Sequence, residues 1–392
     1  MDVHRAKPGR IGTPGLPYAC PVTPAELSRT VLRSVRGAVE EQELSVPVPA
    51  RIVVQPPPRP GCGDYASNVA LQLARQAGRP AREVAEILRK RLIGSAGITR
   101  VEIAGPGFLN FTLGDGAQVA LVREVLAQGD GYGDRSVRGV GGGDVAGPGS
   151  SPDPDPDPDR GPDPGPDRGP DPGPTPSARD VVVAEALARI QAAAGVAAVD
   201  GGQVAPVATP PDLTALIARL GVDEARWVLL RPAAQDPVRV PERPVQRESN
   251  PRFRVQYAAA RARALGRYAH ELGFGSDPGD VGAPVRGEAV GEGPSDGSVS
   301  AAQNLQTFHT LLATYPSAIE TAARLRAPDR VVRHLEATAD AFFRWHDVCP
   351  PLPVGEQKPL AVHRARLALA EAGGTVLANG LRLLGISAPE HL

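Results

Sequence analysis

Asn250-Pro251-Arg252-Phe253-Arg254-Val255-Gln256-Tyr257-Ala258-Ala259-Ala260-Arg261 opens the stretch that decides the fold. From Asn250 the sequence turns strongly helical, and one long helix is expected from Val255 to Leu272. Further helices are expected at Ala301–Thr314, Ser317–Leu325, Asp329–Cys349 and Val362–Leu384. Pro350-Pro351-Leu352-Pro353 breaks this run and Gly385 closes it. The pattern predicts an all-α helical bundle over residues 250–392, with a low-complexity insertion at 274–299 expected to be disordered.

Working upstream, residues 184–249 hold short helical patterns at Ala184–Ala194, Pro210–Leu220 and Asp223–Leu230, a remnant leading into the bundle. Before them the sequence collapses into Gly, Pro and Asp over 129–183. Repeated Pro-Asp cannot sustain a hydrogen-bonded ladder and offers nothing to bury, so a long, disordered, extended linker is expected. Its carboxylates also resemble a string of phosphates, which gives a second reading as a competitor for a basic face.

Residues 21–128 read as an α+β domain. Thr23-Pro24-Ala25-Glu26 has the form of a capping box with proline at the first helical position. Helices are expected from there to Glu41, at Asn68–Gln76, at Ala81–Leu92 and at Ala117–Leu126. Strands are expected at Arg51–Gln55, Thr99–Ile103 and Phe108–Leu113, the last two split by Gly105-Pro106-Gly107. Residues 1–20 read as a disordered lead. The expected fold class is therefore an α+β N-terminal domain plus an all-α C-terminal helical bundle, joined by a long disordered linker.

Composition narrows the chemistry. A net charge of -1 over 392 residues advertises no global basic field, but the Asp-rich tract hides a basic remainder. Cys20, Cys62 and Cys349 form no CxxC pair, so neither a metal site nor a disulfide framework is expected. The polar, Pro/Gly-rich start from Met1 to Pro17 has no signal-peptide pattern, and the apolar runs are too short to span a bilayer. A soluble, cytoplasmic protein that does not enter a membrane is expected.

Three blocks, in order, resemble arginyl-tRNA synthetases. The first is Gly63-Asp64-Tyr65-Ala66-Ser67-Asn68-Val69-Ala70 with Val101-Glu102-Ile103-Ala104-Gly105-Pro106-Gly107-Phe108-Leu109-Asn110-Phe111, similar to the family's N-terminal additional domain. The second, Leu220 to Arg231, resembles the segment leading from the family's catalytic core into its C-terminal helices. The third runs from Asn250 to Arg261 and ends with Asn379 to Ile386 and Ala388-Pro389-Glu390, resembling the DALR-type anticodon-binding domain. The resemblance implies contacts to the tRNA elbow by the first domain and to the anticodon arm by the bundle. Within the third block Arg254 stands where the family usually has an aromatic residue, Ala259 where it has a histidine, and Leu392 where many members have methionine.

The family's class I chemistry requires a His-x-Gly-His motif and a mobile lysine loop. None of the seven histidines lies in such a motif, and Lys7, Lys90 and Lys358 lie in no such loop. The expectation is a non-catalytic tRNA-binding protein with no catalytic residue, no metal and no cofactor. Its partner is expected to be tRNA, arginine tRNA first among them. Two alternatives stay open: a protein-interaction module that has lost RNA, and a tRNA-recognition subunit of a ligase completed in trans by a protein partner supplying catalysis.

RNA binding needs cations for phosphates and flat or polar groups for unstacked bases. In the first domain Tyr65 is either a stacking face or a core ring, and Asn68 either a base-edge amide or a helix cap. In the bundle Arg252, Arg254, Arg261, Arg263 and Arg267 crowd one helix. Arg254 and Arg261, seven residues apart, are placed on one face, as a phosphate track or a solvated surface. Tyr257 stacks on a base or packs in the bundle. Arg364, Asn379 and Arg382, with Arg366, form a second candidate surface, while Trp345 and Phe342-Phe343 are expected in the core.

Overall fold

A computed structural model of the chain describes residues 24–55, 57, 62–95, 97–135, 176–196, 211–243, 247, 249–282 and 301–392. The expected lead, most of the expected linker, the end of the insertion and the side chain of Thr23 lie outside the described residues. The chain divides into two compact units, residues 1–121 and 122–392.

In the first unit, three helices cover a small antiparallel sheet. These are α1 (Pro24–Glu40), α2 (Val69–Ala77) and α3 (Ala81–Leu92). The strands β1 (Tyr65–Ser67), β2 (Ile98–Ala104) and β3 (Phe108–Leu113) lie in the order β1-β3-β2. The register pairs Tyr65 with Phe111 and Val101 with Phe111 from opposite sides of β3. Leu27, Val31 and Val35 at helical spacing on α1 join Leu88, Leu92, Leu109 and Phe111 in one apolar cluster. Gly107, at φ 142, lets the β2–β3 turn meet Ala81, where an added Cβ would lie 3.0 Å from backbone.

The expected strand at Arg51–Gln55 forms only a single bridge, Gln55 to Ala66. The proline run that follows has no N–H with which to extend a ladder. The regular edge strand on this side is β1, which begins where the Asp64 N–H donates to the Phe111 carbonyl at 2.7 Å, and β2 forms the opposite edge.

The second unit is all helical. The residue ranges of the two units meet within α4 (Asp115–Gln128), and a 3-10 turn follows at Gly129–Gly131. Then come α5 (Ala178–Ala193), α6 (Pro211–Leu220), α7 (Val222–Leu230), α8 (Pro251–Glu271), α9 (Ala301–Leu325), α10 (Asp329–Val348) and α11 (Ala361–Leu384). Helix α8 packs on α10 and α11, and α9 on α10 and α5. Gly373 and Gly380 permit close approach: a Cβ there would lie 2.4 Å from Phe308 and from Leu335, respectively. At the end of α11, Arg189 Nε donates to the Leu383 carbonyl at 3.0 Å and Arg226 Nε to the Leu384 carbonyl at 3.1 Å. Carbonyls left orphaned by the helix terminus are thereby satisfied.

The structure departs from the sequence expectations at several points. Helix α5 starts at Ala178, inside the stretch expected to be linker, because Ser177 and Asp180 form a reciprocal capping box. Residues 129–135 are also placed, with Tyr132 buried and its hydroxyl donating to the Leu312 carbonyl at 3.0 Å. The two helices expected around Pro316 are the single helix α9, with the proline inside it. The start of the expected insertion is ordered: Phe274 and Val281 are buried, and the Asp277 N–H donates to the Arg364 carbonyl at 3.1 Å. Trp345 and Phe342 are fully buried as expected, whereas Phe343 is half-buried.

Candidate nucleic-acid interface

Helix α8 is the element on which the second unit's site is built. Asn250 caps it, its side chain accepting from the Arg252 N–H at 3.0 Å, and Pro251 occupies the first turn. Val255, Ala258, Ala259, Ala262 and Leu265 face the bundle. Ala259 is fully buried, so that departure from the family pattern is absorbed in packing, while Arg254 reaches the surface.

The arginines of α8 divide by face. Arg252 points inward, 8% exposed, its Nε on Glu224 Oε2 at 2.5 Å and its Nη1 donating to Gln256 Oε1. Gln256 in turn donates to Asp223 at 2.9 Å and to the Ser387 carbonyl at 2.8 Å. This charge is neutralised and enclosed, so Arg252 is withdrawn as a phosphate ligand. Arg263 donates to the carbonyls of Ala388 and Pro389 at 2.7 and 3.0 Å and fastens the chain's last residues.

Arg254 and Arg261 take the other direction, toward α10. Arg254 Nε meets Asp340 Oδ1 at 2.6 Å, and its guanidinium lies 4.9 Å from the centre of the Phe343 ring. Beside them Phe253, Tyr257 and Phe343 form one row, with centroids 5.9 Å apart at Phe253–Tyr257 and 5.5 Å at Tyr257–Phe343. All three rings are half-buried. Burial, followed by repulsion from Arg261, lowers the pKa of His346 at the end of this face. Tyr257 thus packs and still keeps an open edge. The face presents aromatic surface, a cation shared with a ring, and a second cation, Arg261, with no acidic partner among the described residues.

The second expected surface dissolves into structural contacts. Asn379 is 2% exposed and donates to the carbonyls of Gly129 at 2.9 Å and Tyr132 at 3.4 Å, so it cannot meet a base. Arg364 lies over Phe274 at 5.8 Å and donates to the Gly275 carbonyl at 3.4 Å. Arg382 donates to the Asp130 carbonyl at 2.8 Å yet stays exposed. Arg366, 2% exposed, donates to the Val281 carbonyl at 3.2 Å.

In the first unit Tyr65 is 4% exposed and sits in the core cluster. Burial and the adjacent Asp64 carboxylate push its phenol well above the usual value. No ring face is open, so its role as a stacking platform is withdrawn. Asn68 precedes α2 without capping it through its side chain, and its Oδ1 accepts from Gln72 Nε2 at 3.0 Å. Asn68, Gln72 and Arg75 lie at helical spacing along one outer face, and Arg79 follows just beyond the helix. Arg75 and Arg79 are exposed and without acidic partners among the described residues. Both were missed in the sequence, although the spacing of Asn68 and Arg75 was a usable signal.

Two family models match this chain: "Arginyl tRNA synthetase N terminal domain" at residues 29–113 and "DALR anticodon binding domain" at residues 255–392. The chain is similar to arginyl-tRNA synthetases over these two regions. It is 40% identical over 183 residues to the arginine–tRNA ligase of Pseudarthrobacter chlorophenolicus, covering 46% of this chain and 31% of that protein. It therefore spans under a third of that relative's length. The arginine–tRNA ligase of Frankia alni is 27% identical over 570 aligned positions, covering 95% of this chain and all of that protein. Because this chain has 392 residues, that relative holds segments with no counterpart here. The solved arginyl-tRNA synthetase of Thermus thermophilus aligns over 93% of this chain at 14% identity with a TM-score of 0.48. Among the described residues no His, Cys, Asp and Glu group could hold a metal ion, and no helix is long and apolar enough to cross a membrane.

Proposed function

We propose that this protein binds tRNA without activating an amino acid, using the α8–α10 face of the second unit and the Asn68–Arg75 face of the first. One observation carries the reading. Within and just ahead of the stretch similar to an anticodon-binding domain, Phe253, Tyr257 and Phe343 form a half-buried row of rings flanked by Arg254 and Arg261. Partly exposed rings accept unstacked bases, and arginines beside them meet the backbone. Its similarity to arginine–tRNA ligases makes arginine tRNA the first ligand to test. The non-catalytic part is supported by sequence: no His-x-Gly-His motif and no lysine loop accompany the two matched domains.

Two measurements test this. Labelled tRNA should bind more tightly than an unstructured RNA of equal length, with affinity falling steeply as salt rises. Purified protein given arginine, tRNA and ATP should exchange no pyrophosphate above a heat-killed control. Absence of any salt-sensitive preference for tRNA would end the binding part, and authentic exchange would end the non-catalytic part.

A further inference from the structure

A cleft of about 850 Å³ opens in the second unit between α7, α10 and the described residues that lead from Arg231 to Pro251. Arg231, Arg239, Arg243, Arg247 and Arg333 line it. Three acidic residues also line it, and two of them are already engaged. Glu224 is held by Arg252 at 2.5 Å, and Glu336 by Arg231 at 2.7 Å. Arg333 is paired with Asp329 at 3.1 Å. Arg239, Arg243 and Arg247 are exposed and have no acidic partner among the described residues. Of the described acidic residues lining the cleft, only Asp236 remains to offset these three charges.

One end of the wall is tied down by α5. Arg179, on the first turn of α5, donates to the carbonyls of Pro232, Ala233, Ala234 and Asp236 at 2.8, 2.7, 3.4 and 3.2 Å. Pro232, Pro237, Pro241 and Pro251 restrict the backbone of the same rim. One guanidinium therefore holds the turn at residues 232–236, from which the wall leads to Arg239.

The cleft also leads somewhere. A smaller hollow of about 210 Å³ shares Arg231, Ser249, Pro251 and Glu336 with it, and continues to Arg254 and Asp340. Arg254 lies over Phe343, the end of the aromatic row. The two hollows therefore lead from the three uncompensated cations to Arg254, whose guanidinium lies over the ring at the end of the row. That sequence of surfaces matches a single strand of nucleic acid, whose phosphates follow charge and whose bases follow rings.

We infer that the cleft lined by Arg239, Arg243 and Arg247 is a phosphate-backbone subsite, holding the RNA strand whose unstacked bases reach Phe253, Tyr257 and Phe343. The inference rests on the RNA reading given above. Phosphate contacts position the strand without reading sequence, so the cleft sets affinity and register, and the rings set which loop is accepted.

The test uses the full chain and labelled arginine tRNA in a salt series. The triple variant Arg239→Ala, Arg243→Ala, Arg247→Ala should bind roughly tenfold more weakly near 0.15 M salt, with the salt slope reduced by about 2. Its thermal midpoint should not move, because none of the three makes a structural bond. Tyr257→Ala should instead lower affinity and leave the slope unchanged. Wild-type affinity and slope in the triple variant, with the parent chain still binding tRNA, would overturn the subsite and leave the cleft to an acidic polypeptide. If the parent chain shows no salt-dependent binding, the subsite and the RNA reading fall together.

Discussion

The first unit buries the aromatic residue that its sequence offers as a binding group, while the second leaves three such rings half-open. Tyr65 pairs across β3 and is sealed in a core; Tyr257 lies on a bundle face between Phe253 and Phe343. The arginines follow a related division. On α2 the exposed Arg75 has no acidic partner, whereas α8 spends Arg252 and Arg263 inside the fold and turns Arg254 and Arg261 outward. The difference teaches that the first unit offers RNA charge and amides, and the second offers charge together with stacking surface. Four predictions set the units against each other.

Acid should separate them most. His309 and His334 are buried in the second unit, and burial lowers both pKa values to about 4. No histidine lies in the described part of the first. His334 donates its Nε2–H to the Leu311 carbonyl at 3.0 Å, a bond made by the neutral ring. A histidine whose folded pKa is depressed stabilises the fold fully above its unfolded value of 6.5. That stability is lost as pH falls from there toward about 4, because the unfolded chain binds the proton first. The loss is on the order of 3 kcal/mol for each ring. Trp227 and Trp345, the chain's two tryptophans, are both in the second unit, so their fluorescence reports that unit alone. Its melting transition should fall by many degrees between pH 7 and pH 4.5, and an unmoved transition would count against neutral buried rings.

The two tyrosines supply the next contrast. Tyr65→Ala opens a cavity in the first core and should cost about 3–5 kcal/mol, as large aromatic truncations do. Circular dichroism should register this loss while tryptophan fluorescence melts as before. Tyr257→Ala should weaken tRNA binding by about 1–3 kcal/mol, the value of one base-stacking platform, with Tyr257→Phe restoring it. A binding loss from Tyr65→Phe as large as that from Tyr257→Ala would erase the distinction drawn between the units.

How much of this was legible in the sequence depends on what each signal encodes. The bundle was legible because Val255, Ala258, Ala259, Ala262 and Leu265 repeat at the helical period, and that period reports the buried face. Strand β1 was not, because Tyr65, Ala66 and Ser67 are all buried and show no alternation. Helix α5 was read short because its cap, Ser177 with Asp180, sits at the end of a Pro-Asp tract that masks it in composition. Site residues were less legible than elements. Arg252 and Arg254 are two positions apart and chemically identical, and only Glu224 and Asp340, distant in sequence, separate their fates. Asn379 looked like a surface amide until the Gly129 and Tyr132 carbonyls were brought against it.

The smallest effect is the sharpest test of how the second unit deploys charge. Arg254 and Arg261 share a face, but Arg254 is held by Asp340 at 2.6 Å while Arg261 has no acidic partner among the described residues. A cation already matched by a carboxylate releases few counterions from RNA, whereas an unmatched one releases its full share. Arg261→Ala should therefore reduce the salt slope of tRNA binding by about 1. Removing the pair together, Arg254→Ala with Asp340→Ala, should leave the slope near that of the parent chain. The same Arg261→Ala change should raise the pKa of His346, because repulsion from Arg261 is one of the two causes that depress it. An NMR titration of His346 in the free protein reads that shift without RNA and confirms that the substitution acted on this face. If the double variant loses as much slope as Arg261→Ala, then Arg254 leaves Asp340 for a phosphate on binding, and the two arginines act as one track after all.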